Sequence, residues 1–385
     1  MARASHPDLV HFALAVGGFA IGTTEFATMS LLPYFARDLG ISAPTAGYAI
    51  SAYALGVVVG APLIAVLSAR LSRRTLLVGL MLVFAVANGL TGLVPDYRWM
   101  LVFRFLSGLP HGAYFGVAML MAASLVPGHK RAGATARVLM GLTVATIIGV
   151  PCAEWLGQAI GWRWGFGIVA ALSLLTAILV GLFAPAQPPD AGASPLRELG
   201  ALKNRDVLLT LAIGAIGFGG MFCVYTYLAD ALLTVTRMPE GLVPLVFAVF
   251  GAGMMSGLVI VPRFSHGRLM QTAGWLLLWS AATLALYSFA VGNPWAAALS
   301  VFLIGMGGAL APILQTRLMD VAGEAQTLAA ALNHSAFNVA NALGPLLGGI
   351  AIAQGYGMAS TGLVGAGLAL GGLAIWAVAL KIRHQ

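Results

Sequence analysis

The sequence predicts an all-α membrane protein: twelve transmembrane helices in two six-helix bundles, with both termini cytoplasmic. Three observations lead there. The composition suits lipid and not water, twelve apolar stretches have spanning length, and a signature from the first half returns in the second. Of 385 residues, 60% are hydrophobic and only 8% charged, with 49 glycines and a mean hydropathy of +0.93. A water-soluble chain of this length needs far more charge on its surface. Glycine is well tolerated in membrane helices, where close packing replaces the hydrophobic drive.

The net charge of +8 does not point to nucleic acid, because the basic residues sit in short loops between apolar stretches. The first apolar stretch runs too long for a cleaved leader and is read as a retained span. Cys152 and Cys223 both fall in apolar segments and imply neither a disulfide framework nor a metal site. No cofactor is expected.

A helix needs roughly 20 apolar residues to cross a hydrocarbon core of about 30 Å. Such stretches fall at about 9–35, 44–68, 75–94, 98–126, 134–157, 164–184, 207–233, 242–262, 269–290, 294–317, 326–353 and 359–380. Backbone groups in lipid must be satisfied within the segment, so these are helices. An even number returns both termini to one side. With that side taken as cytoplasmic, fifteen of the 20 Lys and Arg lie inside and four outside, with Arg104 inside a helix. The positive-inside rule therefore sets the termini in the cytoplasm of a multi-pass inner-membrane protein.

The longest polar stretch, 185–206, contains Pro188, Pro189, Asp190, Arg197 and Lys203. It is too short for a soluble domain and reads as a cytoplasmic linker. It separates an N-terminal six-helix bundle, 1–184, from a C-terminal one, 207–385. Gly149-Val150-Pro151 and Gly161-Trp162 in the first half match Gly344-Pro345 and Gly355-Tyr356 in the second, with Pro151 paired to Pro345 and Gly161 to Gly355 at a constant offset of 194. Two such halves form a parallel repeat. Polarity is not repeated: Glu25 falls near Phe222 and Arg104 near Leu303, which concentrates buried charge in the first half.

Four segments carry a family resemblance that covers essentially the whole chain. Gly22-Thr23-Thr24-Glu25-Phe26 with Leu31-Leu32-Pro33 is the first, and Ser68-Ala69-Arg70-Leu71-Ser72-Arg73-Arg74 the second. Arg104-Phe105-Leu106-Ser107-Gly108, continuing to His111-Gly112, is the third, and Gly141 through Gly149-Val150-Pro151 to Gly157 the fourth. Together they resemble a major facilitator superfamily transporter of the sugar-efflux and arabinose-efflux-permease group, within the twelve-span drug:proton antiporters. The loop between spans two and three departs from the usual pattern, with Ala69 where an aspartate is common and Ser72 for a glycine. Glu154 stands where a small or hydroxyl residue is usual. The resemblance implies two bundles rocking around a central cavity, export driven by inward proton flow, and a gating role for Arg70, Arg73 and Arg74.

Glu25 lies about ten residues from the end of its span, where a charge costs several kcal/mol unless it is protonated or paired. A carboxyl exposed to one side at a time can load and release a proton, which makes Glu25 the candidate carrier. The plainer reading is a neutral carboxyl hydrogen-bonded to another helix. Arg104 keeps its proton; it either snorkels from near its helix end or, as the resemblance implies, faces the cavity. Arg104, Gly108 and His111 follow i, i+4, i+7 and share one face. His111 is a proton relay, a substrate donor or a packing residue. Gly108, Gly112 and Gly116 form a small-residue packing seam, and Pro110 bends the helix.

In the eleventh span Asn333 precedes a stripe of His334, Asn338 and Asn341 at i, i+4, i+7. Lipid does not tolerate such a stripe, so it faces substrate or a neighbouring helix. Phe222 and Tyr225 in the seventh span are further substrate candidates, with Tyr227 weaker, although aromatics near helix ends are often interfacial anchors. Glu154 and Asp230 lie near external span ends, where solvation would explain them. Glu154 otherwise reads as a second proton site or a cation-binding carboxylate.

An enzyme is disfavoured: there is no metal cluster, nucleophile–base motif or phosphate-binding loop. A channel would need a ring of polar residues. The expected partners are a small solute (sugar-like or drug-like), protons and lipid, with no nucleic acid, and the chain is expected to act as a monomer. The alternatives are uptake or facilitated diffusion of a nucleoside or other polar metabolite, and a membrane receptor that transports nothing.

Overall fold

The structure is a computed structural model and describes residues 7–67, 71–127, 130–186, 204–264, 268–322 and 326–383. Among the described residues every regular element is helical. Twelve helices are long and apolar enough to span a membrane. In order they are Pro7–Ser30, Ala43–Ala61, Arg73–Leu93, Tyr97–Ser124, Gly133–Ile160 and Arg163–Phe183, then Arg205–Thr226, Glu240–Arg263, Leu269–Ala290, Pro294–Val321, Leu332–Tyr356 and Ser360–Ile382. Most of the 185–206 stretch, and Arg70, lie outside the described residues.

Helix starts follow side-chain capping. Ser72, Asp96, Asn204 and Asn293 each accept backbone N–H bonds at the head of the third, fourth, seventh and tenth spans. The first span breaks at Leu31, ahead of Pro33, and resumes as a short helix, Leu32–Asp38. A π-turn at Ala145–Gly149 precedes Pro151 in the fifth span, where the ring denies the helix one N–H donor.

The sequence repeat has a backbone counterpart. Gly161 (φ +104°) and Gly355 (φ +88°) both take a conformation open mainly to glycine where their spans end. Gly149 packs against Thr23 and Phe19 of the first span, and Gly344 against Gly219 and Cys223 of the seventh. A glycine just ahead of the matching proline thus seats the corresponding helix pair in each half.

Within the first six spans the second packs on the fourth, the third on the sixth and the first on the fifth. The last six repeat this: eighth on tenth, ninth on twelfth, seventh on eleventh. The halves meet where the second span lies along the eleventh and the fifth along the eighth. At the end of the molecule carrying Asp38, one apolar core crosses between halves, through Phe26, Met29 and Ile50 on one side and Tyr225, Phe247 and Phe250 on the other. Toward the Asp8 end the first half has its own core around Leu14, Phe84 and Met121, and a small cluster of Val207 and Leu318 belongs to the second.

The expected glycine seam is real but shifted. A methyl on Gly108 would fall 2.1 Å from the Tyr53 carbonyl oxygen, and one on Gly56 would fall 2.1 Å from that of Phe105. The seam therefore joins the second and fourth spans through Gly56, Gly60, Gly108 and Gly112, while Gly116 faces open space.

Candidate functional site

The first span delivers two adjacent polar residues to different partners. Thr24 faces its own half: its hydroxyl donates to Asn88 Oδ1 at 2.7 Å and accepts from Arg104 Nη1 at 3.1 Å. Glu25 faces the other half, and its Oε1 accepts from Asn341 Nδ2 at 3.1 Å. Consecutive residues on a helix point about 100° apart, which is how one turn serves both bundles.

Arg104 is fully buried and does not snorkel. Its guanidinium lies 4.2 Å above the Tyr53 ring and 5.7 Å from that of Phe166, so aromatic faces take the place of water around the cation. It stands within electrostatic range of Glu25 without a direct hydrogen bond to it. Its Nε and Nη2 have no protein partner. The shared face of Arg104, Gly108 and His111 turns out to be a face for Tyr53: Arg104 covers the ring, Gly108 meets the backbone, and His111 Nδ1 lies 2.9 Å from the hydroxyl.

The eleventh-span stripe lies opposite. His334 stacks on Phe115 at 5.3 Å, and its ring is 6.3 Å from that of His111. Asn338 donates to the His334 carbonyl and leaves Oδ1 without a partner, as Asn341 does. Asn333 stands apart, donating to Gln315 of the tenth span at 2.6 Å. Phe222 and Tyr225 are buried between the halves and are not interfacial anchors: Phe26 contacts both, and Tyr225 packs on Phe247 and Phe250 with its hydroxyl unpartnered. Tyr227 donates to the Pro345 carbonyl at 2.7 Å.

In the loop before the third span, Arg74 donates to the Gly181 carbonyl of the sixth span, and Arg73 opens the third helix. At the opposite end Arg163 and Trp162 both bond the Asp38 carboxylate and hold it below the usual aspartate range. Glu154 is not solvated as its position near a span end suggested; the second half packs over it and leaves it fully buried.

Sequence reading missed Tyr53, Asn88 and Thr24 as members of one network. Asn88 and Tyr53 carried a signal, each being a polar group deep in an apolar span. Nothing local shows that Tyr53 is the residue on which Arg104 and His111 converge.

A twelve-span chain with this site is a transporter, and comparison with known proteins gives the family. Residues 14–274 match the model of the Major Facilitator Superfamily, and the chain belongs to that superfamily. It is 41% identical over 377 residues to the inner membrane transport protein YdhP of Escherichia coli K12, covering 97% of this chain and 96% of that one. It is 36% identical over 344 residues to a chloramphenicol resistance protein of Streptomyces lividans, covering 87% of each. Its fold resembles the crystal structure of the nucleoside transporter NupG (TM-score 0.77, 14% identity), covering 97% of this chain and 100% of that one. The family and its members are transporters, not enzymes.

Proposed function

We propose that this protein exports an amphipathic, drug-like solute by proton antiport with alternating access, with Glu25 as the proton carrier. The observation that carries the reading is the hydrogen bond between Glu25 and Asn341, which joins a buried carboxyl of one half to the polar stripe of the other. Asn341 Oδ1 is a buried acceptor without a donor, and a protonated Glu25 supplies an O–H that a carboxylate lacks. Loss of that proton removes the donor. It also makes Glu25 a natural partner for Arg104 in its own half, where Nε and Nη2 have no protein acceptor. Protonation thus selects between a partner across the halves and one within the half, and solute takes the amides of Asn338 and Asn341 when Glu25 turns away.

The positive-inside bias supports a cytoplasmic Asp8 end, and the name of the Escherichia coli relative supports the inner membrane. With the halves sharing a core at the Asp38 end, the outer side is then the closed one. The aromatic layer of Phe26, Phe222 and Tyr225 beside Glu25 favours a solute with a planar apolar part over a free sugar. The resistance activity named for the Streptomyces relative agrees with this choice. The test is a proteoliposome assay with an imposed pH gradient, screening amphenicols, sugars and nucleosides. Gradient-driven movement of an amphenicol-type compound, lost in Glu25→Gln, is expected; movement that persists in Glu25→Gln ends the proposal.

A further inference from the structure

We infer that Glu154 is a second proton-binding site, open only to the Asp38 side, which takes up a proton when that end of the molecule closes. The inference rests on the alternating-access reading above and concerns a group that reading does not use.

Glu154 is 0% exposed and its Oε2 has no partner. Its other oxygen receives a long bond, 3.5 Å, from Gln158 Nε2, which donates at 2.9 Å to the Glu240 carbonyl of the opposite half. Ser30 and Tyr34 neighbour the carboxyl from the first span and its extension, and Tyr225 faces it from the seventh. The Tyr34 hydroxyl lies beside Glu154 and Gln158 without a well-aligned hydrogen bond, and the Tyr225 hydroxyl is unpartnered, so three poorly satisfied polar atoms share one layer between the halves. The charged side chain that faces the site from the eighth span is Glu240, another acid. Of the arginines of this end, Arg37 faces Asp230 and Arg163 faces Asp38, while Arg98 and Arg237 are exposed.

A carboxylate sealed from water with no counter-charge is costly, and the neutral acid is not. The neutral acid has one O–H to donate to a tyrosine hydroxyl, and its carbonyl oxygen accepts from another. The seal exists only while the halves meet at this end, since Glu240 and Tyr225 both belong to the second half. Opening hydrates Glu154 and lets it ionise; closing requires the proton back. Ser30 lies five residues beyond Glu25 on the same chain segment, so Glu154 sits about 7.5 Å further toward the Asp38 end than Glu25. Its proton therefore comes from, and returns to, that side alone. It makes closure respond to the pH there without adding to the protons moved per solute.

The test is conformational and needs no substrate. Spin labels are placed at Arg98→Cys and Trp295→Cys, exposed residues at the heads of the fourth and tenth spans, with exposed Cys152 replaced by serine. Distances are recorded by double electron–electron resonance from pH 8 to 5.5 in a Glu25→Gln background, so that Glu154 is read without the carrier. The expected result is a growing short-distance population on acidification, by up to about tenfold in the closed-to-open ratio per pH unit, and a flat, closed distribution once Glu154→Gln is added. An unchanged response in the double variant overturns the proposal. So does opening on acidification, or closure driven by sodium at constant pH, and both can be read without the Glu154→Gln protein. Failure of the antiport reading shows instead as transport that ignores Glu25.

Discussion

Asn341 in the eleventh span and Glu25 in the first share a 3.1 Å hydrogen bond across the two halves of the molecule. A bond to a carboxyl group is worth about 1.5–3 kcal/mol when the group is charged and about 1 kcal/mol when neutral. Its loss shifts the balance between two global states about fivefold when the carboxyl is neutral and about tenfold or more when it is charged. Asn341→Ala is expected to fold, to bind solute more weakly through the loss of one amide, and to lose a further factor of about five or more in gradient-driven transport. Binding titration and proteoliposome flux, run on one preparation, check both halves of that statement.

Arg104 is held by a flat aromatic face and one hydroxyl. Lysine keeps the charge but not the planar fork or the stacking. Arg104→Lys should therefore cost about 2 kcal/mol at this desolvated site, read as a lowered melting temperature together with a loss of transport of tenfold or more. Tyr53→Phe keeps the ring beneath Arg104 and removes only the contact with His111, so a milder loss is expected. Equal losses in the two variants would show that the hydroxyl, and not the ring, is what Arg104 and His111 share.

The contact between the second and fourth spans has an internal control. Gly108→Ala drives a methyl into the Tyr53 carbonyl, whereas Gly116→Ala meets nothing within 4 Å. Overpacking of this kind costs about 1–3 kcal/mol. Thermal melts in detergent should drop for Gly108→Ala and stay level for Gly116→Ala.

Asp38 gives a prediction of pH independence. Arg163 and Trp162 hold its carboxyl below the free value of about 3.9, so the stability it adds is present above that value and lost only as pH falls through the lower, folded one. Between pH 8 and 5.5 this clamp should not titrate. Both partners are close to half exposed, so Asp38→Asn should cost no more than about 1 kcal/mol. A stability change with Asp38→Asn that varies across that range would contradict it.

The spans and the repeat were legible because they are written locally, in apolar runs and in glycines such as Gly161 and Gly355 whose backbone needs them. Glu25 and Arg104 stood out because charge is rare at such depth. The pairing of Glu25 with Asn341 was not legible, as the two are 316 positions apart and each has an adequate local explanation. Glu154 misled for a related reason. Its place near a span end implies solvent, and only the packing of the second half over that end buries it. Local pattern reports depth in the bilayer; it does not report which surfaces the halves cover.

The central claim is that proton movement through Glu25 is tied to solute movement. Its most direct measurement is proton flux, read with an entrapped pH dye, when solute is added to proteoliposomes without a pH gradient. The account predicts solute-triggered proton movement in the wild type and none in Glu25→Gln, although Glu25→Gln still binds solute. Solute transport in the wild type with no accompanying proton movement would contradict it.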